Sequence, residues 1–139
     1  MTEIPAAGSI RISTITGDAV IRVAADATVA DVATAIVERE VGSVVVGDDP
    51  HPEGLVTERD VARVVAAGQN PAEVRAAEVA SKNLIWCRAD DTVAKVATRM
   101  MDRYIRHVLV ERNGELIGVV SARDLLGVYA ADAEQSALD

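Results

Sequence analysis

The 139-residue sequence predicts a mixed α/β protein, α+β in its arrangement, made of two copies of one βαββα unit, and three observations carry that prediction. The chain repeats itself: residues 25–37, ADATVADVATAIV, return as residues 89–101, ADDTVAKVATRMM. Gly54-Leu55-Val56-Thr57-Glu58-Arg59-Asp60 likewise returns as Gly118-Val119-Val120-Ser121-Ala122-Arg123-Asp124. Both shifts are 64 positions, with no gap, and residues 26–65 share about 15 identities in 40 with residues 90–129. A period of this size marks a duplicated supersecondary unit. Within each copy, short β-branched runs alternate with helical i, i+3, i+4 spacing of apolar residues. The composition agrees: 50% of residues are apolar, with no Phe, one Trp and two Tyr, and Val and Ala suit close-packed strands and short helices.

The elements follow in order. A short apolar run opens each copy, Ala19–Val23 and then Asn83–Cys87, and reads as a strand. Thr28 and Thr92 stand where a helix N-cap is wanted. Val29, Val32, Ala33, Ile36 and Val37, repeated as Val93, Val96, Ala97, Met100 and Met101, follow at helical spacing. Asp26 and Asp90, just before the caps, favour the helix start electrostatically. The helices should end near Glu40 and Tyr104. Dense strands come next at Ser43–Val46 and His107–Val110. Turns follow: Gly47-Asp48-Asp49-Pro50 in one copy and Arg112-Asn113-Gly114-Glu115 in the other, where Asn-Gly is a tight-turn signal. The third strands, Gly54–Val56 and Leu116–Val120, run into second helices that start at Thr57 and Ser121. Ala67-Gly68-Gln69-Asn70-Pro71 reads as a helix stop. Residues 72–80 should form a short helix leading into copy two, and residues 10–16 should play that part for copy one. The expected boundaries are 10–67 for the first repeat, 68–75 for the linker, 76–130 for the second repeat, and loose ends at 1–9 and 131–139. A single copy of about 50 residues is marginal for independent folding, so one globular body is expected.

Charge and composition exclude several functions. A formal net charge of −8 argues against nucleic acid or an anionic membrane as a partner, since both need clustered Lys and Arg. No apolar run approaches a membrane span, and MTEIPAAGSI lacks the basic and apolar regions of a signal peptide, so a cytoplasmic location is expected. The one cysteine, Cys87, reads as an inert core residue. His51, between two prolines, reads as a loop residue, and no spacing of His and Cys suggests a metal. No nucleophile with a base, Walker-type loop or carboxylate–histidine cluster appears, so no catalytic residue is assigned.

Thr57-x-x-Asp60 and Ser121-x-x-Asp124 read in two ways. As capping boxes, the Ser or Thr caps the helix and the Asp reaches back to the cap N–H. As a ligand site, the helix start presents free N–H groups and a positive dipole end that favour phosphate, while the carboxylate accepts from neighbouring hydroxyls. Both roles can coexist on one side chain.

Gly-hydrophobic-hydrophobic-[Ser/Thr]-x-x-Asp at the last helix of a βαββα unit resembles the CBS domain, named after cystathionine β-synthase. Two in tandem resemble a CBS pair, or Bateman module, over roughly residues 10–130, and the chain is similar to small stand-alone CBS-pair proteins of bacteria. The resemblance implies two CBS repeats packed about a pseudo-twofold axis and a regulatory module. Such a module is expected to bind AMP, ADP, ATP or S-adenosylmethionine in clefts between the repeats and to signal to a partner protein. No cofactor is required and no catalysis is expected. Carried over, the ligand-binding residues are Thr57 and Asp60, then Ser121 and Asp124, with Arg59 and Arg123 inside the motif as phosphate contacts or plain surface residues. The family pattern pairs Thr57 and Asp60 with Arg106 and His107, the base lying along Lys82–Ile85, and pairs Ser121 and Asp124 with Gly42 and Ser43, along Asp18–Ile21. Ile85 and Ile21 are thus base-lining residues, and the first cleft, having a cation, should bind phosphorylated ligand better. Trp86 could stack on the base or fill the core. CBS pairs commonly form disc-like dimers, which implies a homodimer. The second strand lacks the frequent proline of the family, reading Val44-Val45-Val46 and Val108-Leu109-Val110. The competing reading is a structural or protein-interaction module with vacant clefts.

Overall fold

A computed structural model describes residues 6–15, 20–48 and 51–138, with side chains as far as residue 134. The chain separates into two compact units. The first is residues 20–84; the second joins residues 1–19 to residues 85–139.

In the first unit, strand β1 (Arg22–Val23) leads to helix α2 (Val29–Arg39), strands β2 (Ser43–Val46) and β3 (Gly54–Thr57), helix α3 (Glu58–Ala66) and the short helix α4 (Ala76–Val79). The sheet order is β1-β2-β3, with β1 parallel and β3 antiparallel to β2. Val44, Val46 and Val56 occupy alternate positions on two strands, and they join Val32 and Ala76 in one buried cluster. In the second unit, a 3-10 turn (Ala7–Ser9) and helix α1 (Ile12–Ile15) join strand β4 (Trp86–Arg88), helix α5 (Val93–Arg103), strands β5 (His107–Arg112) and β6 (Glu115–Ser121), and helix α6 (Ala122–Leu138). Its sheet runs β4-β5-β6 with the same directions.

The 64-residue shift of the sequence reappears in the hydrogen bonding. Arg22 pairs with Val45 as Trp86 pairs with Leu109, and Ser43 pairs with Thr57 as His107 pairs with Ser121. Thr28 caps α2 and Thr92 caps α5. Both helices end on a left-handed residue, Glu40 at φ 54° and Tyr104 at φ 55°, at the positions the periodicity indicated. The Asn113-Gly114 turn has φ of 54° and 80°, the two positive values that a tight hairpin needs. Gly54 is required by close approach: a Cβ there would stand 2.6 Å from the Ala80 Cβ, because Leu55 and Ser81 exchange backbone hydrogen bonds of 2.9 and 3.0 Å.

Several expectations need correction. Residues 10–16 were expected to serve copy one and residues 72–80 to lead into copy two; residues 10–15, the described part of the first segment, and residues 74–80 of the second each serve the other copy. Ile12 is fully buried in the cluster of the second unit, beside Val93, Val96 and Val108, whereas Ala76 lies in the cluster of the first. The exchange is reciprocal in detail. Ile12 N–H donates to the Asp91 carbonyl and Ala76 N–H to the Ala27 carbonyl, both at 2.8 Å. Val93 N–H donates to Ile10 and Val29 N–H to Val74, again at 2.8 Å. Sequence equivalence could not reveal this, because both copies offer the same acceptors. The strand expected at Asn83–Cys87 lies at Trp86–Arg88, and the run Ala19–Val23 narrows to Arg22–Val23, with Ala19 outside the described residues. Both are edge strands with one neighbour, so pairing and not hydrophobicity sets their limits. Val37 and Met101, assigned to the apolar helix face, are each 76% exposed. In place of a loose end from residue 131, α6 runs to Leu138. Asp49, Pro50 and Asp18 lie outside the described residues.

Candidate ligand-binding site

Each unit presents the same constellation where its last strand becomes a helix. The strand must end and the helix must satisfy its first N–H groups within a few residues. At α3, Thr57 N–H donates to Asp60 Oδ2 at 2.8 Å, Asp60 N–H donates to Thr57 Oγ1 at 3.4 Å, and the Thr57 hydroxyl donates to Asp60 Oδ2 at 3.1 Å. At α6, Ser121 N–H donates to Asp124 Oδ2 at 2.9 Å and Asp124 N–H donates to Ser121 Oγ at 3.1 Å. The capping box is therefore formed in both copies.

The boxes leave capacity for a ligand. In both, Oδ2 carries the cap. Asp60 Oδ1 has Arg63 Nη1 at 3.9 Å, and Asp124 Oδ1 has no partner among the described residues. A carboxylate oxygen in that state accepts from a hydroxyl. The supply of helix N–H groups is smaller than the sequence implied. Glu58 N–H donates to the Gly42 carbonyl at 3.1 Å and Ala122 N–H to the Arg106 carbonyl at 2.8 Å. With Asp60 and Asp124 N–H held by the caps, the second N–H of each helix, that of Arg59 or Arg123, remains open among the described residues. At α2 all three are taken, by Val74, Pro71 and Thr28. The last helix of the first repeat thus keeps a donor that its first long helix lacks.

The other assigned residues fall as follows. Arg59 and Arg123 are exposed on the first turns of α3 and α6. Thr57 and Asp60 are partly buried; Ser121 is partly buried and Asp124 exposed. Arg106 is exposed at the start of β5, and within its own unit its carbonyl joins it to the Ser121 cap. His107, partly buried, pairs in register with Ser121. The carbonyls of Ile21 and Ile85 accept from Val45 N–H at 2.8 Å and Leu109 N–H at 2.9 Å, so both residues extend strand pairing while their side chains pack on the two cores. Cys87 is buried, and burial, aided by the nearby Asp91 carboxylate, pushes its thiol up to about 11, which keeps it protonated and unreactive. No cluster of metal-ligating side chains occurs among the described residues, and no helix there is long and apolar enough to cross a membrane.

Residues 12–67 and 76–131 each match the CBS domain family. An uncharacterised protein of Methanopyrus kandleri is 39% identical over 104 residues, 73% of this chain and 53% of that protein, so the chain spans about half the length of this relative. Among solved structures, a CBS domain protein from Pyrobaculum aerophilum complexed with AMP is 33% identical, with a TM-score of 0.74 over 88% of this chain and 99% of that one. A hexameric CBS-CP12 protein from bloom-forming cyanobacteria is 29% identical, with a TM-score of 0.75 over 84% of this chain and 69% of that one.

Proposed function

The chain belongs to the CBS domain family, with two CBS domains in tandem, and from that premise we propose that it is a regulatory module whose capped helix starts hold the ribose of an adenosine nucleotide. Pairs of CBS domains generally bind adenosine ligands and are typically regulatory, not catalytic. The observation that carries the reading is a carboxylate oxygen outside the cap beside an open helix N–H, built twice: Asp124 Oδ1 has no partner among the described residues and Asp60 Oδ1 faces only exposed Arg63 at 3.9 Å. One group accepts from a ribose hydroxyl; the other donates to a phosphate. The AMP complex of the Pyrobaculum protein supports the ligand class.

Calorimetry with AMP, ADP, ATP and S-adenosylmethionine tests the proposal. One of them should bind, and at 100 times its dissociation constant it should add roughly 2.7 kcal/mol of stability. Asp60→Ala should cost more affinity than Asp124→Ala, and Arg106→Ala should weaken phosphorylated ligands selectively. Equal losses from the two Asp variants would remove the inequality, and no binding by any nucleotide would favour an interaction module. The same proposal includes self-association as a homodimer, with exposed Val37, Met101 and Tyr104 (76, 76 and 94% exposed) as apolar surface available for it. The hexameric cyanobacterial protein shows that a relative assembles to a higher order. Sedimentation giving a monomer at micromolar concentration overturns the dimer.

A further inference from the structure

The second unit carries a groove of about 370 Å³ between β4 and the first turns of α5, at the far end of β5 from the His107–Ser121 pair. Trp86, Arg88, Asp91, Lys95, Arg99 and Glu111 line it. Lys95 and Arg99 stand one helical turn apart on the same face of α5. Lys95 Nζ reaches Asp91 Oδ1 at 3.2 Å, Asp91 Oδ2 accepts from Arg88 N–H at 2.8 Å, and Arg99 Nη1 donates to the Trp86 carbonyl. Both cations are thereby drawn to the groove by a single acceptor each. An ammonium has three donors and a guanidinium five, so most remain available. Glu111, partly buried, makes no ion pair among the described residues.

The duplication supplies an internal control. The counterparts of these six residues, 64 positions earlier, are Arg22, Ala24, Ala27, Asp31, Ala35 and Gly47. That set forms the same parallel strand pairing and an 11-residue helix of the same length. The fold therefore does not call for Trp86, Lys95, Arg99 or Glu111 where they stand. Within a chain of net charge −8, the seven groove residues, buried Cys87 among them, carry three cations against two carboxylates.

We propose that this groove binds a small ligand bearing an oxyanion, a phosphate or a carboxylate, set against Lys95 and Arg99 with its apolar flank on Trp86. Glu111 adds an acceptor for a hydroxyl or amine where the ligand carries one. The groove's volume is in the range of small-molecule sites. The site goes beyond the adenosine reading, because it uses neither capped helix start.

Trp86 is the only tryptophan, so its fluorescence reports on the groove. Titration of the full chain with inorganic phosphate and, separately, with acetate should give a saturable change with at least one, and the responding probe tells phosphate from carboxylate. Lys95→Gln should weaken that response roughly tenfold, the weight of one hydrogen bond to a charged group. Arg88→Gln, whose exposed side chain holds nothing in place, is a second variant that keeps the fold, and circular dichroism checks both. No saturable change with either probe overturns the proposal. So does a response that survives Lys95→Gln unweakened, above all one that Arg106→Ala abolishes, since that signal would belong to the adenosine site.

Discussion

The two repeats share the buried valine register of their strands and first long helix and diverge in what they place along the sheet edge. Val32, Val44, Val46 and Val56 of the first are matched by Val96, Val108, Val110 and Val120 of the second, all buried. The outer edges differ. Along β4 the side chains of Asp91 and Arg99 cover the Arg88 N–H and the Trp86 carbonyl; the first repeat has Ala27 and Ala35 there and can do neither. The connections after the second strands differ: seven residues, 47–53, join β2 to β3, whereas only Asn113 and Gly114 join β5 to β6. Glu111 and Arg112 continue the hairpin past a bulge, while Gly47, at φ 101°, ends it. The caps differ as well: α2 has a full capping box with Asp31, whereas Lys95 stands at that position in α5. A duplicated fold is held by its hydrophobic register, and polar positions outside that register were free to change.

The comparison can be broken at the exchanged segments. Ile12 and Ala76 are equivalent, yet Ile12 fills far more of its core. Ile12→Ala should destabilise the second unit by about 2–5 kcal/mol and lower hydrogen-exchange protection around Ala89–Val93 while leaving Thr28–Val32 protected. Equal loss in both places would show that the units do not respond separately. Next in size, Gly54→Ala should cost about 1–3 kcal/mol by driving a Cβ into Ala80, read as a lower urea midpoint with unchanged slope; an unchanged midpoint would mean that the 80–81 segment yields freely. The smallest effect concerns Asp91. Burial pulls its pKa upward, but the Arg88 N–H and the Lys95 and Arg99 cations outweigh that and hold it below the ordinary 3.8. A lowered folded-state pKa contributes stability above the unfolded value, and that stability is lost as pH falls through the folded value. Asp91→Ala, which copies Ala27 of the first repeat, should therefore be less stable than the parent at neutral pH, and the two should converge below about pH 3.8. A gap that stays constant down to strong acid would rule out the charge as the cause.

Much of the fold was legible because apolar spacing and caps are local signals. Thr28, Thr92, Glu40, Tyr104 and the Asn113-Gly114 turn all lie where the residues placed them. The motif residues Thr57, Asp60, Ser121 and Asp124 were legible for the same reason, since a Ser or Thr three residues before an Asp is itself a helix start. Lys95, Arg99 and Asp91 were passed over. Lys95 and Arg99 lie on α5 and Asp91 just before its cap, and only the position of β4 beside them makes a groove. Val37 and Met101 were misplaced because spacing defines a stripe but not its width.

By itself the sequence determined that there are two equal βαββα copies and where helices α2 and α5 begin and end. These follow from periodicity and short-range hydrogen bonding, which act within a few residues of the chain. The tertiary structure decided that residues 10–15 complete the second unit and residues 74–80 the first, and that only one helix N–H in each motif stays open. Both depend on which of two chemically identical acceptors a distant backbone segment reaches, and a repeated sequence offers the same acceptors twice.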